Sequence, residues 1–83
     1  MKLLYFAWLR QKIGVDAEQV ALPEGIVDVA GLLEWLKGRG ANYADALKDA
    51  KVIKVAVNQA YARPSTPLKD GDEVALFPPV TGG

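Results

Sequence analysis

Only one long stretch of this chain places its apolar residues at a helical period, and that limits the fold more than any other pattern. After Asp28, the residues Val29, Leu32, Leu33 and Leu36 fall on one face of a helix, Asp28 is a suitable N-cap, and Gly38 and Gly40 stop the run. Leu33 and Trp35 sit at the margins of the stripe and are expected to be half exposed. A second, shorter segment over residues 41–50 reads as one or two helical turns, with Tyr43 and Leu47 spaced i, i+4. Most of the other apolar runs are of strand length.

Residues 2–9 form an apolar and aromatic run with no polar face, read as a strand with Leu3, Tyr5, Ala7 and Leu9 on one side and Leu4, Phe6 and Trp8 on the other. So small a domain can hardly cover both sides, so one is expected to be an exposed docking patch. Residues 10–16 read as a connection containing Gly14, and residues 18–22 as a weaker strand that closes a hairpin before Pro23. Residues 52–57 alternate, with Ile53, Val55 and Val57 inward. Asn58-Gln59 is a turn, and residues 60–62 are a short edge strand cut off by Arg63-Pro64. Asp70-Gly71-Asp72 is a tight turn, and residues 73–77 form the last strand, Val74 and Leu76 inward, Ala75 and Phe77 outward. The economical layout is α+β, a mixed sheet wrapped over one main helix with its first and last long strands parallel neighbours. Phe6, Trp8 and Phe77 then share an outward face beside the chain's end.

Composition removes most catalytic classes. The 83 residues make one small domain, and the 51% hydrophobic content suffices for a core. Ten basic and ten acidic residues cancel without clustering, which disfavours nucleic-acid and anionic-membrane surfaces. With no cysteine and no histidine, the chain has no thiolate nucleophile, disulfide, usual zinc site or imidazole base. Asp70, Asp72 and Glu73 do not meet the ligand pattern of a calcium loop, and a solvated turn explains them. The apolar start is too short to span a bilayer and no cleavage site follows it, so a soluble, cytoplasmic protein is expected.

The chain ends Pro78-Pro79-Val80-Thr81-Gly82-Gly83. Two prolines hold φ at about −65° and favour an extended exit, so these residues reach at most ~20 Å at ~3.3–3.6 Å per residue. Glycines pass through a slot too narrow for other residues. What arrives at its end is the α-carboxylate of Gly83, ionised at neutral pH and a poor electrophile until activated. A terminal Gly-Gly also occurs as a frayed end or a cloning scar, so the dipeptide alone does not decide.

Phe6-Ala7 followed by Arg10, then Val57-Asn58-Gln59, then the run from Asp70-Gly71-Asp72 through Phe77-Pro78-Pro79 to Gly82-Gly83 resembles the ubiquitin-like β-grasp sulfur carriers of the molybdopterin synthase small-subunit type. The resemblance spans essentially the whole chain, and its specific part is the run from the acidic turn to the diglycine. Carriers for thiamine thiazole synthesis share the turn and the diglycine but usually lack the proline pair, which places that role second. A ubiquitin-like modifier or interaction module is the alternative of a different class.

The resemblance implies a β-grasp domain over residues 1–77 and a C-terminal tail over residues 78–83. It implies that a ubiquitin-activating-like (E1-like) adenylyltransferase, using MgATP, adenylates Gly83, and that a persulfide donor then converts it to a thiocarboxylate. The tail next enters the large subunit of a heterotetrameric synthase and gives its sulfur to a cyclic pyranopterin precursor, two deliveries building a dithiolene for molybdenum. The chain itself binds no metal or cofactor and supplies no catalytic group beyond Gly83. In this reading Gly82 gives clearance, Thr81, Val80, Pro79 and Pro78 line the threading segment, and Phe6 and Phe77 meet the large subunit, with Tyr61 at another contact position. Strand parity adds Trp8 to that surface. Arg10 either pairs with a partner acid or is a solvated strand end.

Overall fold

A computed structural model describes residues 1–49 and 52–79. In chain order the elements are β1 (Lys2–Tyr5), α1 (Trp8–Ile13), β2 (Ala17–Gln19), α2 (Val29–Lys37), α3 (Ala41–Ala46), β3 (Lys54–Val57), β4 (Ala60–Tyr61) and β5 (Glu73–Phe77). They build a five-stranded mixed sheet in the order β2-β1-β5-β3-β4. The last strand is therefore the middle one. It runs parallel to β1, with Lys2 opposite Glu73 and Tyr5 opposite Leu76, and antiparallel to β3, with Lys54 opposite Phe77.

The parallel pairing of first and last strands and the single main helix follow the sequence pattern. Asp28 caps α2 through its Oδ1, which accepts from the Gly31 N–H at 2.8 Å. Two more unpaired amides of that helix start, Val29 and Ala30, donate to the carbonyls of Thr66 and Pro64 at 3.1 and 2.9 Å. The β4–β5 loop is thereby pinned to the helix. Val29, Leu32 and Leu36 of α2 meet Leu3, Tyr5, Val55, Val74 and Leu76 of the sheet in one core. Leu33, expected at the margin, is buried there too, while Trp35 is half-buried.

Residues 2–9 do not form one strand. β1 stops at Tyr5, Ala7 turns the chain with φ 56° and ψ −135°, and α1 follows. Leu9 and Ile13, one helical turn apart, both enter the core, whereas an extended continuation would bury Leu9 and strand Ile13 in a loop. Gly14, at φ 101°, closes α1 by donating its N–H to the Arg10 carbonyl at 2.8 Å. A positive φ at alanine costs roughly 1–3 kcal/mol. Burying two large aliphatic side chains, at roughly 1.5–3 kcal/mol each, offsets it. Trp8 and Arg10 thus lie on a helix, not on the sheet, and Ala7 is exposed rather than inward. β1 and β2 are antiparallel, as a hairpin requires, but α1 fills their connection, and β2 begins one residue earlier and ends sooner than expected.

The acidic turn is a structural clip. Gly71 sits at φ 95°, and the buried Asp72 accepts from the Lys69 N–H and from Asn58 Nδ2, both at 3.0 Å. Asn58, itself at φ 51° in the β3–β4 turn, returns the link by accepting the Glu73 N–H at 3.0 Å. The Lys69 amide first, and the Asn58 side chain next, hold the Asp72 carboxyl below its usual range. A folded value below the unfolded one means that the clip's pH-linked stability is complete above pH ~4 and fades as pH falls through the depressed folded value. Asp72→Ala is expected to cost about 1–3 kcal/mol at pH 7, because two donors lose their acceptor, and less at pH 3. Urea melts of both proteins at the two pH values check this. An equal gap at both refutes the linkage.

Candidate functional site

Strand register assembles an uncovered apolar surface on the face of the sheet opposite α2. Leu4, Ala75, Ala56 and Tyr61 lie in one row across four strands. Phe77, two residues beyond Ala75, extends the surface toward the chain's exit, with Phe6 beside it. Phe6 and Phe77 meet edge to face with centroids 6.5 Å apart, and Tyr61 tilts against Phe77 at 5.9 Å. Phe6 is 48% exposed and Tyr61 79%, so the described residues leave this cluster open. Lys2 and Lys54 stand at its rim.

The alternation of β5 is what builds the site. Val74 and Leu76 are fully buried while Ala75 and Phe77 face out, so the central strand anchors the core with one side and displays Phe77 with the other. Pro78 and Pro79 continue directly from it. The sequence-predicted residues Val80, Thr81, Gly82 and Gly83 lie outside the described residues. Phe6, Tyr61 and Phe77 are brought together, and Trp8 is not part of their cluster. Trp8 carries the Lys12 ammonium 5.9 Å from its ring and lines a hollow with Asp45, Ala46, Lys48 and Asp49 beside α3. Arg10 is exposed on α1.

Beside the tail's root, and sharing Tyr61, Phe77 and Lys54 with this surface, lies a groove of about 790 Å³. Val29 and Leu33 of α2, Ile53 and Val55, and Phe77 give it apolar walls, and Pro79 lines it too. Among the described residues its only charged lining side chains are Lys54 and Arg63.

Sequence reasoning missed one polar cluster. Glu18 accepts from the Tyr5 hydroxyl at 2.6 Å, the Tyr43 hydroxyl at 2.8 Å and Arg39 Nη1 at 2.9 Å, and the guanidinium lies over the rings of Trp35 and Tyr43. Burial pushes the Glu18 carboxyl up, but these hydrogen bonds outweigh it and hold the group below its usual range. Burial first, and then the Glu18 carboxylate, raise the Tyr5 phenol well above its ordinary value. Every polar group here is satisfied by another, so the cluster ties β1, β2 and α3 together and leaves no free base. Among the described residues no group of three or more Asp, Glu, His or Cys is placed to hold a metal, and no helix is long and apolar enough to cross a membrane.

A mixed sheet packed on one main helix, with its C-terminal strand at the centre and an apolar cluster at the strand's exit, defines a ubiquitin-like β-grasp protein. The ThiS family model matches residues 3–83, and the chain belongs to that family. It is 43% identical over 83 residues to the molybdopterin synthase sulfur carrier subunit of Escherichia coli (strain K12), covering 100% of this chain and 99% of that protein. Solved structures share the fold. The putative molybdopterin converting factor subunit 1 of Pyrococcus furiosus matches with a TM-score of 0.76 at 38% identity, over 95% of both chains. SAMP1 of Haloferax volcanii gives a TM-score of 0.76 at 30% identity, over 100% of this chain and 98% of that one. A complex of subunits 1 and 2 of the molybdopterin-converting factor of Helicobacter pylori gives 0.62 at 26% identity, over 99% and 96%.

Proposed function

We propose that the chain is the sulfur carrier subunit of molybdopterin synthase in molybdenum cofactor biosynthesis, with Gly83 as its reactive residue. The observation that carries this reading is the match, over the whole chain, to carrier subunits of that synthase. Attack of the Gly83 carboxylate on the α-phosphorus of MgATP releases pyrophosphate and leaves an acyl adenylate, a mixed anhydride with a good leaving group. The terminal sulfur of a persulfide displaces AMP, and a thiol then cleaves the S–S bond, freeing the thiocarboxylate. In the large subunit the thiocarboxylate sulfur forms a C–S bond to the pyranopterin precursor as a C–O bond there breaks, and hydrolysis of the resulting thioester leaves the sulfur on the pterin and returns the Gly83 carboxylate. None of these steps asks the carrier for a base or a metal.

The docking surface in this reading is the Phe6, Tyr61 and Phe77 cluster, with Pro78 to Gly83 entering the partner. The subunit 1–subunit 2 complex of the Helicobacter pylori protein supports a large subunit as that partner. Likeness to SAMP1, a small archaeal modifier protein, supports a second reading in which Gly83 is joined to a lysine of another protein. Incubation with an adenylating enzyme, MgATP, a persulfide donor and a thiol separates the two. Intact mass is expected to rise by the difference between one sulfur and one oxygen. Adenylation without sulfur uptake, followed by coupling to lysine, favours the modifier.

A further inference from the structure

We propose that the groove beside the tail's root is a resting dock for the chain's own residues 80–83, with the Gly83 carboxylate set against Arg63 and Lys54. The groove is lined by Pro79, the last described residue, so the chain leaves the body at the groove's edge. Four residues remain beyond it, a reach of up to ~14 Å at ~3.3–3.6 Å per residue. They end in an anion, and the two charged residues lining the groove are both cations. Neither Lys54 nor Arg63 takes part in an ion pair among the described residues. Val80, the one apolar side chain of the segment, matches the apolar walls at Val29, Leu33, Ile53 and Val55.

The dock is weak by construction. An exposed carboxylate–guanidinium contact gains little in water, so a partner that takes Tyr61 and Phe77, which the groove and the docking surface share, displaces the tail without a large penalty. A thiocarboxylate keeps the negative charge and docks as the carboxylate does. The dock holds whether or not Gly83 carries sulfur, so its failure leaves the carrier reading standing.

The test compares amide ¹H–¹⁵N spectra of the full chain with those of the same chain ending in a Gly83 carboxamide, in the wild-type and Arg63→Ala backgrounds. Arg63 is exposed and outside the core, so its replacement leaves the fold intact. Amidation of the wild-type chain is expected to shift the amides of Val29, Leu33, Ile53 and Ala62, far from the modified residue in sequence. In the Arg63→Ala background the same amidation is expected to leave those amides in place. Shifts confined to residues 80–83, shifts equal in both backgrounds, or groove shifts that track protein concentration and so report a second copy each overturn the proposal.

Discussion

A chain ending at Gly82 is expected to keep the fold and to lose sulfur delivery. Leu76 is the last core residue among those described, and strand pairing ends at Phe77, so removing Gly83 should change unfolding free energy by less than about 0.5 kcal/mol. The shortened chain still ends in a carboxylate, so what it lacks is length. One residue is ~3.3–3.6 Å of reach, and a misplacement of about 1 Å already costs about 10²-fold in a positioned reaction. In the proposed delivery the folded body sets where the tail starts, which places the partner's site at a fixed distance from Phe77. Conversion of the pyranopterin precursor by the large subunit is therefore expected to fall by more than ~10²-fold. Normal turnover with the shortened chain would show that the acyl end is not delivered to a fixed point.

The second large effect concerns the surface at the tail's root. Phe77→Ala is expected to weaken large-subunit binding by more than about tenfold, or ~1.4 kcal/mol, as truncation of a central aromatic anchor does. Phe77 packs against both Phe6 and Tyr61, so its loss also frees the two most exposed rings of the cluster. Trp8→Ala is the matched control, since Trp8 faces Lys12 and α3 and is expected to leave affinity within about twofold. Titration calorimetry with the large subunit reads both. Equal losses, or no loss for Phe77, would move the interface elsewhere.

Where local pattern and tertiary packing agree, the sequence was readable. The period of two in residues 73–77 and the cap at Asp28 are local signals, and the parallel neighbours β1 and β5 follow from layout rules. The error at residues 6–13 arose because an apolar run reads the same in either conformation until its period changes. Leu9 and Ile13 four residues apart, with Gly14 behind them, were the available clue. The left-handed turn at Ala7 had none, because alanine does not advertise positive φ. Trp8 and Arg10, expected on a strand and at its end, lie on α1 for that reason. The Glu18 cluster joins residues 13 to 25 positions apart, and no local period encodes such a contact.

The position of β5 has a consequence for when the protein becomes usable. Lys2 cannot find Glu73 until nearly the whole chain exists, and this long-range closure is a slow kind of folding step. A nascent chain still lacking its final strand has a split sheet and a core without Val74 and Leu76. The strand from which the tail leaves is thus also the keystone of the domain. In the proposed reading, an enzyme that recognises the folded body together with the tail would therefore meet only carriers that have completed their own assembly.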